Sequence, residues 1–163
     1  MSSKKLKPRL TSCFLKPGSD TRGLPIQGNK LIKKPFLALH ITALMIVIRL
    51  GLRWLQLPRL LRFLQPSHCA KSENLHEFQR VVYYTDRLLR AFPYNKKGNC
   101  LPRSLMLYVL APRYGYPVKF HCGVRKTETG LDGHAWLTVK GQPFWESTRE
   151  PVGMVETFSY PKD

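Results

Sequence analysis

Acidic residues are scarce in this sequence: ten Asp and Glu stand against 27 Lys and Arg in 163 residues, a formal net charge of +17 at pH 7. Such a balance favours acidic partners, whether an acidic peptide, nucleic acid or anionic lipid, without choosing among them. Cysteine is scarce too. The four (Cys13, Cys69, Cys100 and Cys122) show no zinc-ligand spacing and no dense framework, which points to a reduced, cytoplasmic compartment. No signal peptide fits, because the first apolar run begins too far into the chain and lacks a small-residue cleavage site. That run, Phe36 to Ile48, is interrupted only by His40 and Thr42. Its thirteen residues make about 20 Å of helix against a hydrocarbon core of ~30 Å, and extending it would bury Arg49 and Arg53. A spanning helix is therefore not expected. Residues 1–35 have no apolar period, and their nine Lys/Arg against one Asp read as a basic, disordered arm. The arm lacks interleaved aromatics for base stacking, which argues against a specific nucleic-acid reader.

The hydrophobic fraction, 43%, is enough for one domain with an extension. Amphipathic helices are expected over 36–64, the second of them Leu57–Leu64 with arginines on its wet face. Their apolar stripe suits packing on the domain or resting on an anionic membrane surface. A third helix follows from about Glu73 to Phe92, with Leu75, Phe78, Val81, Val82, Thr85, Leu88 and Leu89 on one face. Pro93 stops it, and Tyr94–Gly98 forms a basic turn.

The chemistry gathers between Asn99 and Glu146. Asn99 is in place to cap an apolar helix, Cys100–Leu110, with Pro102 in its first turn. A cysteine there sits at the positive end of the macrodipole, which favours thiolate over thiol. Pro117–Arg125 alternates as a strand, Gly133–Val139 carries His134, and Pro143–Thr148 carries Glu146. A thiolate on a helix, an imidazole on one strand and a carboxylate on the next form a nucleophile–base–orienter arrangement. With Lys140-Gly141-Gln142 as a three-residue loop, His134 faces Thr148, and Glu146 lies on its face, diagonal to it. A two-residue loop would put the two on opposite faces.

Each of these residues has a plainer reading. An isolated cysteine is usually a small buried hydrophobe and a single acid in a strand a surface residue, so Cys100 and Glu146 carry both readings. His121 and Cys122 are adjacent on a strand and point to opposite faces, which speaks against a zinc set with Cys100 and His134. Cys122 reads as core, pointing away from the site, and Trp136 and Trp145 as packing residues.

Cys-Leu-Pro-Arg-Ser-Leu at 100–105, Gly123-Val124-Arg125, and His134-Ala135-Trp136 with an acid twelve residues after the histidine resemble the lasso-peptide leader peptidases. The Leu/Arg-rich helices over 36–64 resemble them as well, so the likeness covers about residues 36–163. That family belongs to the transglutaminase-like cysteine enzymes. The resemblance implies an α+β, papain-like fold: N-terminal helices, then a nucleophile-bearing helix on a small antiparallel sheet. It implies a cysteine endopeptidase with Cys100 as nucleophile, His134 as base and Glu146 as orienter, where the family usually has aspartate. It also implies a precursor leader peptide as substrate, a macrolactam-forming cyclase as partner, and a separate leader-recognition protein, since residues 1–35 are too short to be a recognition domain. No cofactor or metal is called for. The alternative is a catalytically weak or inactive scaffold of the same fold that binds peptide or membrane.

Overall fold

The structure, a computed structural model, describes residues 33–66, 68–91, 98–128, 130–146 and 153–161. These belong to a unit that starts at Leu31. The expected basic arm lies outside the described residues except for its last three, which already belong to the first helix.

That helix, α1, runs Lys33–Trp54. It continues through Arg49 and Arg53, where the sequence reading stopped it, because only one side of the helix is packed. Ile41, Met45 and Ile48, at i, i+4 and i+7, are buried, whereas Arg53 is exposed. Pro35–Trp54 is thus long and apolar enough to cross a membrane by length and composition, with 17% of the apolar window buried. The helix α2, Leu57–Leu64, has the expected limits; it buries Leu60, Leu61 and Leu64 and exposes Arg59 and Arg62. The helix α3, Leu75–Ala91, buries Phe78, Val81, Val82, Thr85 and Leu89. Asn74 Oδ1 accepts the Glu77 N–H at its start (3.2 Å).

At the centre is α4, Cys100–Leu110, whose residues from Leu105 to Leu110 are all buried. A helix apolar all round has to be covered all round, and α1, α3 and strand β2 do this. A single 3₁₀ turn, Ala111–Tyr114, leads to the sheet. Its strands are β1 (Lys119–Thr127), β2 (Gly130–Val139), β3 (Gln142–Pro143) and β4 (Val155–Tyr160), in the order β3-β2-β1-β4, with every pair antiparallel. The architecture is α+β, as the resemblance implied.

Two departures from the sequence reading bear on function. The β2–β3 hairpin closes through two residues, Lys140 (φ 50°) and Gly141 (φ 78°), and pairs Val139 with Gln142 and Thr138 with Pro143. Two left-handed residues match the twist of the flanking strands, and glycine takes the second position without a Cβ penalty. The three-residue loop is therefore incorrect, and β3 ends at Pro143 instead of running to Thr148. The other departure is β4, which the sequence reading did not anticipate. A bulge at Cys122/Gly123 leaves Thr157 as the extra residue between Glu156 and Phe158, so the segment does not alternate with period two.

Candidate active site

His134 pairs with Gly123 across the β1–β2 ladder and shares a sheet face with Trp136 and His121. The three rings lie nearly parallel: His134 and Trp136 have centroids 6.1 Å apart at 11°, and Trp136 and His121 are 5.5 Å apart at 9°. Gly123 makes room for this. A Cβ there would come within 2.9 Å of Trp136 Cη2 and 2.7 Å of the Val155 carbonyl oxygen. Trp136 therefore does more than pack the hairpin, because it forms the wall between two imidazoles.

His134 Nε2–H donates to Glu146 Oε2 at 3.0 Å, and both side chains are over 90% buried. A two-residue hairpin should have put them on opposite faces. They meet because the chain leaves the strand geometry after Pro143. Phe144 still donates its N–H to the Leu137 carbonyl (2.9 Å), but Trp145 takes φ 53°. This left-handed conformation costs a bulky side chain about 1–3 kcal/mol. It turns Glu146 over the β3 side of β2, within hydrogen-bonding reach of the Leu137 backbone as well as of His134. Burial pushes the Glu146 carboxyl above its ordinary value. The His134 hydrogen bond and charge, the Arg103 charge and the Leu137 backbone work against that shift without cancelling it.

Cys100 is the first residue of α4 and is half-buried. Asn99 occupies the N-cap position, but its side chain does not cap the helix; Nδ2 donates to the Leu89 carbonyl of α3 instead (3.3 Å). Two polar residues one turn beyond Cys100 tie α4 to the site. The Ser104 hydroxyl donates to the Ala135 carbonyl, next to His134, at 2.9 Å. Arg103 Nη1 donates to the Trp145 carbonyl, next to Glu146, at 2.9 Å. Among the described residues no hydrogen bond joins Cys100 to His134, and His134 Nδ1 has no hydrogen-bonding partner. The structure thus joins two of the three expected residues directly, and it brings the helix that carries the third to the residues next to both.

Cys122 belongs to the core side of the sheet, as expected, but it is not remote from the site. Burial, and then the charge of the neighbouring Cys100, push its thiol up to about 12. Among the described residues no cluster of three or more potential ligands could hold a metal ion.

A family model for the transglutaminase-like superfamily matches residues 42–158, more than two thirds of the chain. The chain belongs to that superfamily. No curated protein and no solved structure matches it. The transglutaminase-like superfamily includes cysteine peptidases, and the match spans Cys100, His134 and Glu146. It also spans functional groups that the sequence reading passed over. Arg103 and Ser104 were legible, because two polar side chains inside an otherwise apolar, fully covered helix must have partners. Asp86 could not be matched to Arg103 without the packing of α3 on α4. A second imidazole–carboxylate pair was equally hidden. His121 Nδ1–H donates to Glu156 Oε2 at 2.7 Å, and His121 Nε2 meets the Thr138 hydroxyl at 2.8 Å. Partial burial alone would raise Glu156, but hydrogen bonds from His121 and Ser159, with the charges of His121 and Lys119, hold it below its ordinary value.

Proposed function

We propose that this protein is a cysteine endopeptidase that removes the leader from a ribosomally made lasso precursor, with Cys100 as nucleophile, His134 as base and Glu146 as orienter. The observation that carries the reading is the buried His134–Glu146 hydrogen bond, reached through a strained residue beside the helix that begins with Cys100. A carboxylate on Nε2–H holds the ring in one tautomer and leaves Nδ1 to take the thiol proton. The thiolate attacks the scissile carbonyl, and the Cys100 backbone N–H, at the start of the helix, donates to the developing oxyanion in this reading. His134 returns the proton to the leaving amine, and water then releases the acyl-enzyme. Contacts of this kind tighten on substrate binding, which accommodates the missing Cys100–His134 hydrogen bond in the free protein.

The substrate and partners come from the resemblance at 100–105, 123–125 and 134–136: a precursor leader, a separate leader-recognition protein and a macrolactam-forming cyclase. The excess positive charge suits an acidic leader and an anionic membrane surface, and the sparse, unpatterned cysteines suit a reduced, cytoplasmic site of action.

The test is cleavage of a lasso precursor peptide, with a leader-recognition protein present. Wild type should release the leader, Cys100→Ala should not, and Cys122→Ala should keep its activity. Cleavage by Cys100→Ala at the wild-type rate would sink the peptidase reading. Peptide binding without cleavage by the wild type would establish the scaffold of the same fold.

A further inference from the structure

Arg103 is a cation, only 8% exposed, inside a helix whose other buried side chains are, apart from Ser104, apolar or aromatic. Removing a guanidinium from water is unfavourable unless its donors are all met. Here each of its three nitrogens has an acceptor. Nε donates to Asp86 Oδ1 at 2.7 Å and Nη2 to Asp86 Oδ2 at 3.4 Å, a two-point fork, while Nη1 donates to the Trp145 carbonyl at 2.9 Å. Asp86 lies on α3, and α3 also supplies Phe78, whose ring meets the Trp145 indole edge-on at 5.7 Å. The strained residue is therefore held at both ends, its carbonyl by Arg103 and its ring by Phe78.

We propose that Arg103, locked by Asp86, is the positioning residue that sets the Glu146 carboxylate against His134. The peptide whose carbonyl Arg103 grips is the one that joins Trp145 to Glu146. A peptide is planar, so fixing that oxygen fixes the direction in which the Glu146 backbone departs. Trp145 keeps φ 53° only while the surroundings over-determine it. Once the carbonyl is released, the chain is free to relax toward regular strand geometry, and by the two-residue register Glu146 then returns to the face opposite His134. Arg103 is also three residues after Cys100, on the same side of the helix. One turn of α4 thus carries the nucleophile and holds the acid, which ties the spacing of the site to a single rigid element. The guanidinium charge, which acts on Glu146, favours its ionised form in addition.

The positioning does not depend on Cys100 being a nucleophile; its catalytic meaning rests on the peptidase reading. The experiment therefore has two readouts, made on the full chain as wild type, Arg103→Lys, Asp86→Asn, Glu146→Gln and the double variant Arg103→Lys/Glu146→Gln. The first is the His134 imidazole tautomer at pH 8, read from ring ¹⁵N shifts and assigned by His134→Gln. Wild type should hold the Nε2–H form. Arg103→Lys keeps the charge but loses the fork, and should give the mixed tautomers of Glu146→Gln while its thermal transition stays cooperative. Asp86→Asn should move the same way by less, and it serves if Arg103→Lys fails to fold.

The second readout is the rate of Cys100 alkylation by iodoacetamide, followed by mass spectrometry with the exposed Cys69 as internal control. Misplacement of Glu146 should slow it about 10- to 100-fold. The double variant should be no slower than Glu146→Gln, because Arg103 acts through that residue. A wild-type tautomer in folded Arg103→Lys, or losses that multiply in the double variant, would overturn the proposal and leave Arg103 a fold-stabilising ion pair. If the tautomer responds as expected but alkylation is indifferent to His134 and Glu146, the positioning stands and the peptidase reading falls.

Discussion

Glu146 carries a structural cost, set in the proposed mechanism against a functional gain. Its side chain is over 90% buried, and burial dominates its titration, lifting the carboxyl above the ordinary 4.5. For a group whose folded value is raised, the folded state favours the neutral form. The stability it contributes is present below about 4.5 and is lost as pH rises through the raised value. Glu146→Gln mimics the neutral acid, so at pH 7 it should melt at or above the wild-type temperature, and the two melting points should converge on acidification. Activity should move the other way. An amide can stabilise the wrong imidazole tautomer, and in a serine-protease triad the comparable acid-to-amide change costs about 10⁴ in turnover. A thiolate–imidazolium pair leans less on its third member, so a loss of about 10- to 10³-fold is expected here. Melting curves at pH 4 and pH 7, with turnover of both proteins, check both halves. A variant that is less stable at pH 7 and equally active would show Glu146 to be an ordinary structural acid.

At the scale of elements, the short hairpin decides the site. Lys140 and Gly141 close it in two residues, and among the described residues no strand pairs with that side of β2 from Gly133 to Leu137 once β3 has ended at Pro143. Ser104 and Glu146 both use that side. Inserting one glycine after Gly141 makes the three-residue loop that the sequence reading favoured, and it shifts the following chain by one position. The insertion should leave the helices and the β1–β2 pairing intact, because both lie upstream of the turn. It should nonetheless lower the proposed leader cleavage by about 100-fold or more, since Trp145 no longer meets Arg103 and Phe78. Unchanged circular dichroism with lost activity is the expected pair of results. Full activity would mean that a regular strand delivers Glu146 just as well.

Across the whole molecule, α1 has two apolar sides and the fold uses one. Opposite Ile41, Met45 and Ile48, the residues Phe36, Leu39, Ile46, Val47, Leu50 and Trp54 are exposed, and Phe63 of α2 is exposed near the exposed Arg59 and Arg62. An unpartnered apolar stripe on a strongly cationic protein suits the surface of an anionic bilayer. The full chain should co-sediment with phosphatidylserine-containing vesicles more than with neutral phosphatidylcholine vesicles. The difference should shrink as salt is raised from 0.1 M to about 1 M, because the Debye length falls from about 10 to 3 Å. Leu39→Gln together with Leu50→Gln should weaken sedimentation without lowering the melting temperature, since neither side chain is buried. Equal binding to both vesicle types at every salt concentration would remove the electrostatic part of this reading.

The sequence by itself determined what local chemistry and periodicity encode. The limits of α2 and α4, the buried face of α3 and the place of Cys100 at a helix start all follow from side-chain spacing and from breakers such as Pro66, Pro93 and Gly115. The three residues proposed for the site come from residue type and place: a cysteine at a helix start, a histidine on a strand and an acid twelve residues further on. Only the tertiary structure decided how His134 and Glu146 meet. The expected route, a regular strand after an odd loop, is absent; a two-residue turn and one left-handed tryptophan do the same work. That conformation is set by Arg103, Asp86 and Phe78, from helices 42 to 67 residues upstream of Trp145 in the chain. Local propensity disfavours φ > 0 for tryptophan, so only long-range contacts that outweigh the local cost can hold it. The bulge that hides β4 and the continuation of α1 through two arginines have the same origin. In each, a local pattern gives way to packing against segments distant in sequence.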